Sequence, residues 1–306
     1  MDRGMRRRPF PAGQSGLTLV EMMVAITIGL LLTVGIAQVY LASISTQRTQ
    51  DNVTLLNESS RFAFDLLSRE VRKAGFRNKW SRNNANVSEF CLLEDPMPQS
   101  AFVGVNDATS ITPASADLTG SAIAISNSSD VLKVRFYGEP ANGTETITDC
   151  HGFPVAADQL VQDTLYVAPD PNNGNEPALW CNTDNPTPAT ASHPGALPLV
   201  AGVESLQLLY GEDTDSDGII NRYVPWQLVS KVHKVSAVKA SAVLRSQNPV
   251  AIGSGTTSFA HFGPAYLPAV NSDAGAVFTP QVAGRLRRQF STEIALRNFG
   301  YCDSGN

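Results

Sequence analysis

Residues 16–26 read GLTLVEMMVAI and begin the stretch that decides the fold. No residue from Met22 to Gln47 is charged, and about 20 apolar residues are enough for a helix to span a bilayer. An ordinary secretory signal has a shorter apolar core that is followed by small residues. Here the small pair Ser15-Gly16 precedes the apolar run, so a cut at this point would leave a membrane helix on the mature protein.

The charge is unevenly distributed along the chain. Residues 1–16 carry four arginines and one aspartate, a net charge of +3, which leaves −8 on the remainder of a chain of net charge −5. Basic residues before an apolar helix stay in the cytoplasm while the rest is exported. A nucleic-acid-binding role is not expected, because phosphate contacts need an excess of Lys and Arg.

One carboxylate, Glu21, lies at the edge of the apolar run. An unpaired carboxylate in hydrocarbon is costly. After a cut behind Gly16, Glu21 becomes the fifth residue and can pair with the new α-amino group of a neighbouring subunit. A polar group that is satisfied only in an assembly specifies its register.

The stretch Gly16-Leu17-Thr18-Leu19-Val20-Glu21 before an apolar helix resembles the cleavage motif of type IV prepilins and type II secretion pseudopilins. The resemblance implies that the prepilin peptidase cuts between Gly16 and Leu17 and that Leu17 is then N-methylated. It also implies that Glu21 is the assembly glutamate.

The helical pattern continues beyond the membrane segment. Spacings of three and four predict one apolar stripe at Val53, Leu56, Ser60, Phe64, Leu67, Val71 and Ala74. Gly75 is a natural helix stop, so residues 17 to about 75 are predicted to form one helix. Residues 60–76, 210–218, 238–246 and 287–298 resemble, in this order, blocks of the PilW minor pilins.

The resemblance implies an α+β, pilin-like fold, in which the long helix packs on an antiparallel β-sheet with long loops. The expected divisions are a leader at 1–16, a membrane or filament-core helix at 17–45, its amphipathic continuation at 46–76 and a β-rich domain at 77–306. The predicted strands are 131–137, 161–167, 203–210, 223–229, 232–245 and 286–297. The predicted long loops are 106–121, 169–195 and 246–276.

The loop at residues 213–221, DTDSDGIIN, predicts a calcium site. Carboxylates of Asp213, Asp215 and Asp217, the carbonyl of Ile219 and the side chain of Asn221 fit the oxygen ligands of Ca²⁺. The twelfth position of the EF-hand pattern, normally Glu, is Val224, so the bidentate ligand is missing or comes from elsewhere, with Glu212 as the candidate. The alternative is a solvated acidic turn between two strands.

Four cysteines, Cys91, Cys150, Cys181 and Cys302, predict two disulfides in an exported domain, with three possible connectivities. Free buried thiols are the alternative. Cys150-His151 is interpreted as a disulfide cysteine beside a loop histidine rather than a metal pair.

Two basic clusters are predicted to be structural rather than binding sites. His233, between Lys231 and Lys234, is expected to be a sheet residue. The basic residues Arg285, Arg287 and Arg288 are expected to form a solvated face. The sequence has no phosphate loop, no H-E-x-x-H and no G-x-S-x-G, so an enzyme is not expected.

The resemblance therefore implies a minor pilin that takes part in type IV pilus assembly, in a priming or tip complex supporting twitching motility or adhesion. Its implied partners are the prepilin peptidase, other minor pilins, the major pilin, a tip adhesin and the inner membrane. Its N-terminus is expected in the cytoplasm and its soluble domain in the periplasm or at the pilus tip. The alternative is a minor pseudopilin of a type II secretion system, and a membrane-anchored envelope enzyme is a third possibility.

Overall fold

The computed structural model describes residues 16–76, 101–139, 147–157, 159–186, 195–250 and 257–298. These residues form the helix α1 (Leu19–Lys73), a short helix Pro268–Asn271 and thirteen strands. The strands are β1 (Phe102–Val105), β2 (Ser110–Ile111), β3 (Ile123–Ala124), β4 (Val131–Tyr137), β5 (Leu160–Asp170), β6 (Glu176–Thr183), β7 (Ala196–Ala201), β8 (Val203–Glu212), β9 (Arg222–Val224), β10 (Val235–Pro249), β11 (Phe259–Ala260), β12 (Val277–Phe278) and β13 (Arg285–Ala295). The chain divides into two compact units, residues 1–49 and residues 50–306.

Two antiparallel sheets carry the second unit. The first has the order β1-β4-β5-β6-β7 and the second the order β13-β10-β8-β9. Two small hairpins, β2-β3 and β11-β12, accompany them. The helix and these sheets confirm the α+β prediction.

The second half of α1 packs on the sheets through its apolar stripe. Leu56, Ala63, Leu67 and Val71 are at most 2% exposed and share one hydrophobic core with strands of both sheets. The stripe is spaced by three and four residues, as one face of a helix requires. Burying a Leu side chain contributes about 1.5–3 kcal/mol, so this face binds the helix firmly to the domain.

The helix ends where the sequence predicts. Gly75 has a φ of +72°, in the left-handed region that glycine adopts without a Cβ clash. Its N–H donates to the carbonyl of Arg135, and Phe76 accepts from the N–H of Tyr137, both at 2.9 Å. Since β1 pairs only with Val131–Val134, the remaining edge of β4 is available for these two bonds.

Strand β4 has the predicted bounds but a different environment. The sequence VLKVRFY alternates as a half-buried strand does, whereas every residue from Val131 to Phe136 is buried. The Lys133 ammonium donates to the carbonyls of Pro113 and Ser115, and Arg135 donates to Gln162 and Ala116. Loop residues 113–116 therefore cover a face that alternation alone assigns to solvent.

The basic residues of β13 correct a second prediction. Arg287 donates to both carboxylate oxygens of Glu204, at 2.6 and 3.0 Å, and both side chains are 5% exposed. Arg285 pairs with Glu176, and Arg245 bridges Glu176 and Glu204. The solvated-face interpretation is wrong for Arg285 and Arg287, because carboxylates from β6 and β8 meet them in the fold.

Other predicted strands and loops are shifted. Residues 223–229 form only β9 followed by a 3₁₀ turn at 226–228, and residues 232–234 form a 3₁₀ turn before β10. His233 is therefore not a sheet residue. The predicted loop 169–195 contains the whole of β6, and residues 187–194 lie outside the described chain.

Candidate functional site

The N-terminal end of α1 is organised around Glu21. The N–H and the hydroxyl of Thr18 each donate to Glu21 Oε2 at 2.9 Å, and the Glu21 N–H donates back to the Thr18 hydroxyl at 3.3 Å. Because α1 begins at Leu19, Thr18 is the N-cap and Glu21 the third helical residue. This reciprocal pattern is a capping box.

Thr18 is not among the predicted site residues, although the sequence carries a signal for it. The spacing Thr18-x-x-Glu21 before an apolar run is the sequence mark of a capping box. Gly16 and Leu17 precede this cap and are exposed. The rest of the predicted leader, residues 1–15, lies outside the described chain.

The membrane-length part of α1 presents its apolar side chains outward. An 18-residue window reaches a mean hydropathy of 2.3, which by length and composition is enough to cross a membrane. The exposed large side chains are Leu17, Leu19, Val20, Met22, Met23, Val24, Ile26, Ile28, Leu30, Leu31, Leu32, Val34, Ile36, Val39, Tyr40 and Leu41. A contiguous apolar surface of this kind marks a segment that another apolar phase covers, either lipid or the helices of other subunits.

The Asp-rich loop connects β8 and β9. Asp213 accepts N–H bonds from Ser216 at 2.7 Å and from Gly218 at 2.8 Å. Burial raises the pKa of Asp213, but the N–H groups of Gly218, Ser216 and Asp217 outweigh it and hold the pKa below its ordinary value. Asp213 is therefore a carboxylate that fixes the turn.

The three aspartates of this loop converge. One carboxylate oxygen from each of Asp213, Asp215 and Asp217 lies within 4.8 Å of the others. The Asn221 carbonyl oxygen accepts from the N–H and the hydroxyl of Thr214, while its amide nitrogen lies 3.4 Å from Asp215. The three carboxylate oxygens at these separations can bind a hard cation, whereas the Asn221 oxygen is held by Thr214.

Glu212 does not complete this set. Its carboxylate accepts from Arg222 at 2.7 and 2.9 Å, and from the N–H and hydroxyl of Ser230 at 2.7 and 2.8 Å. These groups fix it beside β9 and the turn before β10. The sequence hypothesis that Glu212 replaces the twelfth-position ligand is therefore wrong.

One disulfide lies within the described chain. Cys150 and Cys181 are joined, with Cα atoms 6.5 Å apart, which links the loop at 147–157 to β6. His151 Nε2 lies 3.1 Å from the Cys181 carbonyl oxygen. Cys91 and Cys302 lie outside the described residues.

A buried group of charges lies next to this loop. The Lys73 ammonium contacts Glu70 at 2.6 Å and Asp163 at 3.5 Å, and donates to the Thr148 carbonyl at 2.8 Å. Asp163 also accepts from the N–H of Cys150 at 2.8 Å. The end of α1, β5 and the disulfide loop thus share one polar cluster.

Burial, reinforced by Asp163 and opposed by Lys73, raises the pKa of Glu70 to about 8. Burial likewise raises the pKa of Asp163. Two carboxylates against one ammonium in a low-dielectric site retain a proton at neutral pH. The sequence did not single out this cluster, because its members are separated by up to 93 positions in the numbering.

Two family models match parts of the chain. Residues 164–298 match the family model described as type IV pilus-assembly protein W, PilW, and residues 11–37 match the model of the prokaryotic N-terminal methylation motif. No curated protein matches the chain. Among solved structures, a type IV-like pilin from Thermus thermophilus matches at 16% identity and a TM-score of 0.42, covering 80% of this chain and 99% of that chain.

The methylation motif covers the Gly16-Leu17 junction and the capping box. It identifies a prepilin-type, membrane-anchored N-terminus of the kind that the prepilin peptidase processes. The PilW match begins within β5, continues through β13 and includes the Asp-rich loop. The chain therefore carries a PilW domain of type IV pilus-assembly proteins behind a prepilin-type N-terminal methylation motif, in their expected order.

Proposed function

We propose that the mature protein is a minor pilin, anchored in the inner membrane and then incorporated into a priming or tip complex of the type IV pilus. The observation that carries this proposal is an apolar helix of membrane length that begins at a capped carboxylate. Its role is structural, and its partners are the other minor pilins, the major pilin and a tip adhesin. The complex would support twitching motility or adhesion.

The geometry of Glu21 supports an assembly contact. Both hydrogen bonds from Thr18 go to the same carboxylate oxygen, Oε2. A carboxylate has about four lone-pair sites, so Glu21 can keep its cap and still accept from the α-amino group of Leu17 of a neighbouring subunit. The desolvation cost of the Glu21 carboxylate is then lowest in the assembled helix bundle. This favours one register between neighbouring helices.

The size of the chain supports a low-copy position. Removal of residues 1–16 from 306 leaves 290 residues, most of them in the soluble unit that starts at residue 50. Such a subunit is bulky for the repeating unit of a thin fibre and suits a cap.

The first test is the intact mass of protein purified from membranes of a host that expresses a prepilin peptidase. Loss of residues 1–16 and gain of one methyl group at Leu17 are expected. An uncut chain, or one cut beyond residue 42, would overturn the proposal, because the apolar helix would then be an ordinary anchor or signal.

The second test replaces the carboxylate. Glu21→Ala should be processed normally but should enter sheared pili poorly, whereas Glu58→Ala, at an exposed position of the same helix, should enter normally. Normal incorporation of Glu21→Ala would contradict the assembly role. If deletion of the gene impairs type II secretion and leaves piliation intact, the pseudopilin alternative is correct instead.

Calcium binding by the Asp-rich loop is a separate proposal, supported by the convergence of the three carboxylates. The proposed ligands are Asp213, Asp215, Asp217, Ile219 and Asn221. A ligand at a hundredfold excess over its Kd stabilises the folded state by about 2.7 kcal/mol. Asp215→Ala should therefore lower the melting temperature in calcium but not in EDTA. The control is Asp117→Ala in another exposed loop, and equal losses for Asp215→Ala in both buffers would contradict a calcium site.

A further inference from the structure

We propose that Cys150, His151 and Cys181 form a zinc site whenever their disulfide is reduced. One ligand atom from each residue, the two sulfurs and a ring nitrogen, lies within 4.8 Å of the others. Two thiolates and an imidazole are ligands that Zn²⁺ prefers. The disulfide and the metal compete for the same two sulfurs.

Tetrahedral coordination requires the two bonded sulfurs to move apart once the disulfide is reduced. Zinc binds sulfur at about 2.3 Å and imidazole nitrogen at about 2.0–2.1 Å, which places neighbouring ligand atoms about 3.5–3.8 Å apart. Cys181 lies on β6 and is fully buried, and Cys150 lies in the turn after Thr148 and is 8% exposed. The ligands thus come from one strand and one short turn, and opening the disulfide lets the two sulfurs move apart around an ion.

The hydrogen bond of His151 identifies the coordinating nitrogen. Nε2 lies 3.1 Å from the Cys181 carbonyl oxygen, and a carbonyl oxygen only accepts hydrogen bonds. Nε2 therefore donates in this bond, which leaves Nδ1 as the nitrogen that would bind the metal. Such a bond at the second nitrogen orients zinc-binding histidines.

The turn that carries Cys150 and His151 is held from the opposite side. Asp149 Oδ1 accepts from the N–H groups of His151 and Phe153, both at 2.9 Å, and Asp149 Oδ2 accepts from Asn185 at 2.8 Å. This bonding does not involve the sulfurs. The turn can therefore keep its position when the disulfide opens.

A cavity beside the turn gives access to the site. A cavity of about 610 Å³ at the end of α1 is lined by Cys150, Asp149, Glu70 and Lys73 among other residues. It gives a metal ion and a reductant a route to Cys150, and a water molecule in it would supply the fourth ligand of zinc.

The chemistry is a reduction followed by metal binding. A dithiol transfers two electrons and two protons to the Cys150–Cys181 bond, which yields two thiols and the oxidised dithiol. Zinc then displaces one proton from each thiol and binds both thiolates and His151. The site can bind a metal ion before the disulfide forms or after it is reduced. Bound zinc would keep Cys150 and Cys181 in the reduced form.

The experiment uses the full-length protein in detergent with Cys91→Ser and Cys302→Ser, so that the other two cysteines cannot bind metal. The protein is reduced with a dithiol, desalted anaerobically and titrated with Co²⁺, then with Zn²⁺ in competition. One equivalent of Co²⁺ should bind with thiolate charge-transfer absorption, and the oxidised protein should show none. Binding of equal strength by the oxidised protein, or absence of binding after reduction, would overturn the proposal.

His151→Ala tests the third ligand. It should weaken binding about tenfold or more and change the visible cobalt spectrum, whereas His233→Ala should bind like the parent protein. Circular dichroism of the oxidised His151→Ala variant shows whether it folds. Zinc should also slow re-formation of the disulfide in the parent more than in this variant, and an equal rate in both would count against coordination by His151.

Discussion

Residues 19–49 and residues 50–73 belong to one unbroken helix, yet different surroundings hold them. Leu31 in the first half is 73% exposed, whereas Leu67 in the second half is 1% exposed. The backbone hydrogen bonds of a helix are internal in both halves. The first half must therefore obtain its apolar contacts from lipid or other subunits, while the second half obtains them from its own domain.

The largest expected effect tests this contrast directly. Leu67→Ala removes a core side chain and should lower the free energy of unfolding by about 2–5 kcal/mol. Leu31→Ala, the same change in the exposed half, should leave that free energy within about 0.5 kcal/mol of the parent value. Denaturant unfolding of the detergent-solubilised protein measures both, and equal losses would show that the two halves share one core.

The second prediction concerns the carboxylate of the buried half. Because the pKa of Glu70 is raised, the folded state keeps a proton that the unfolded state releases. The contribution of Glu70 to the free energy of unfolding is therefore greatest below about pH 4.3. This contribution is lost as the pH rises to about 8. The slope that one such group contributes is at most about 1.4 kcal/mol per pH unit.

Glu70→Gln should therefore flatten the decline of stability between pH 5 and 8, because a neutral side chain replaces the protonated carboxyl. Part of the decline should remain, since Asp163 also has a raised pKa. Glu58→Gln, an exposed change in the same helix, is the control and should decline like the parent. Identical slopes for all three proteins would contradict the shared proton.

The smallest effect is expected at the cap of the exposed half. Thr18→Ala removes the hydroxyl and should cost the helix end about 1 kcal/mol, seen as faster hydrogen exchange at residues 19–22 in micelles. Thr27→Ala removes a hydroxyl that bonds only the Val24 carbonyl within the helix, and should not affect these amides. Unchanged exchange in Thr18→Ala would show that the detergent or the membrane orders this end without the cap.

A further prediction concerns the pairing of the four cysteines. With Cys150 joined to Cys181, one connectivity of the three remains, and two disulfides would require Cys91 to pair with Cys302. Peptide mapping without reduction should recover both pairs. Free thiols at the second pair would show that the prediction of two disulfides is wrong.

Strand prediction succeeded where local patterns were sufficient. Strand β4 has the bounds that the sequence predicts. Strand β6 was missed because Pro177 and the surrounding Gly, Pro and Asn residues read as a loop. In the structure Pro177 pairs with Pro169 near the ends of β6 and β5, a position where a missing N–H disrupts little of the ladder.

The sequence by itself determined the membrane-length helix, its end at Gly75, the prepilin-type N-terminus and the position of the Asp-rich loop. These depend on neighbouring residues in the chain, namely hydrophobic periodicity, helix stops and short motifs. Only the tertiary structure decided that Arg287 meets Glu204, that Cys150 meets Cys181 and that Glu70 shares its site with Asp163. The physical reason is that ion pairs, disulfides and burial depend on which distant strands come together, and a charged side chain has the same appearance in the sequence whether it faces water or a buried partner.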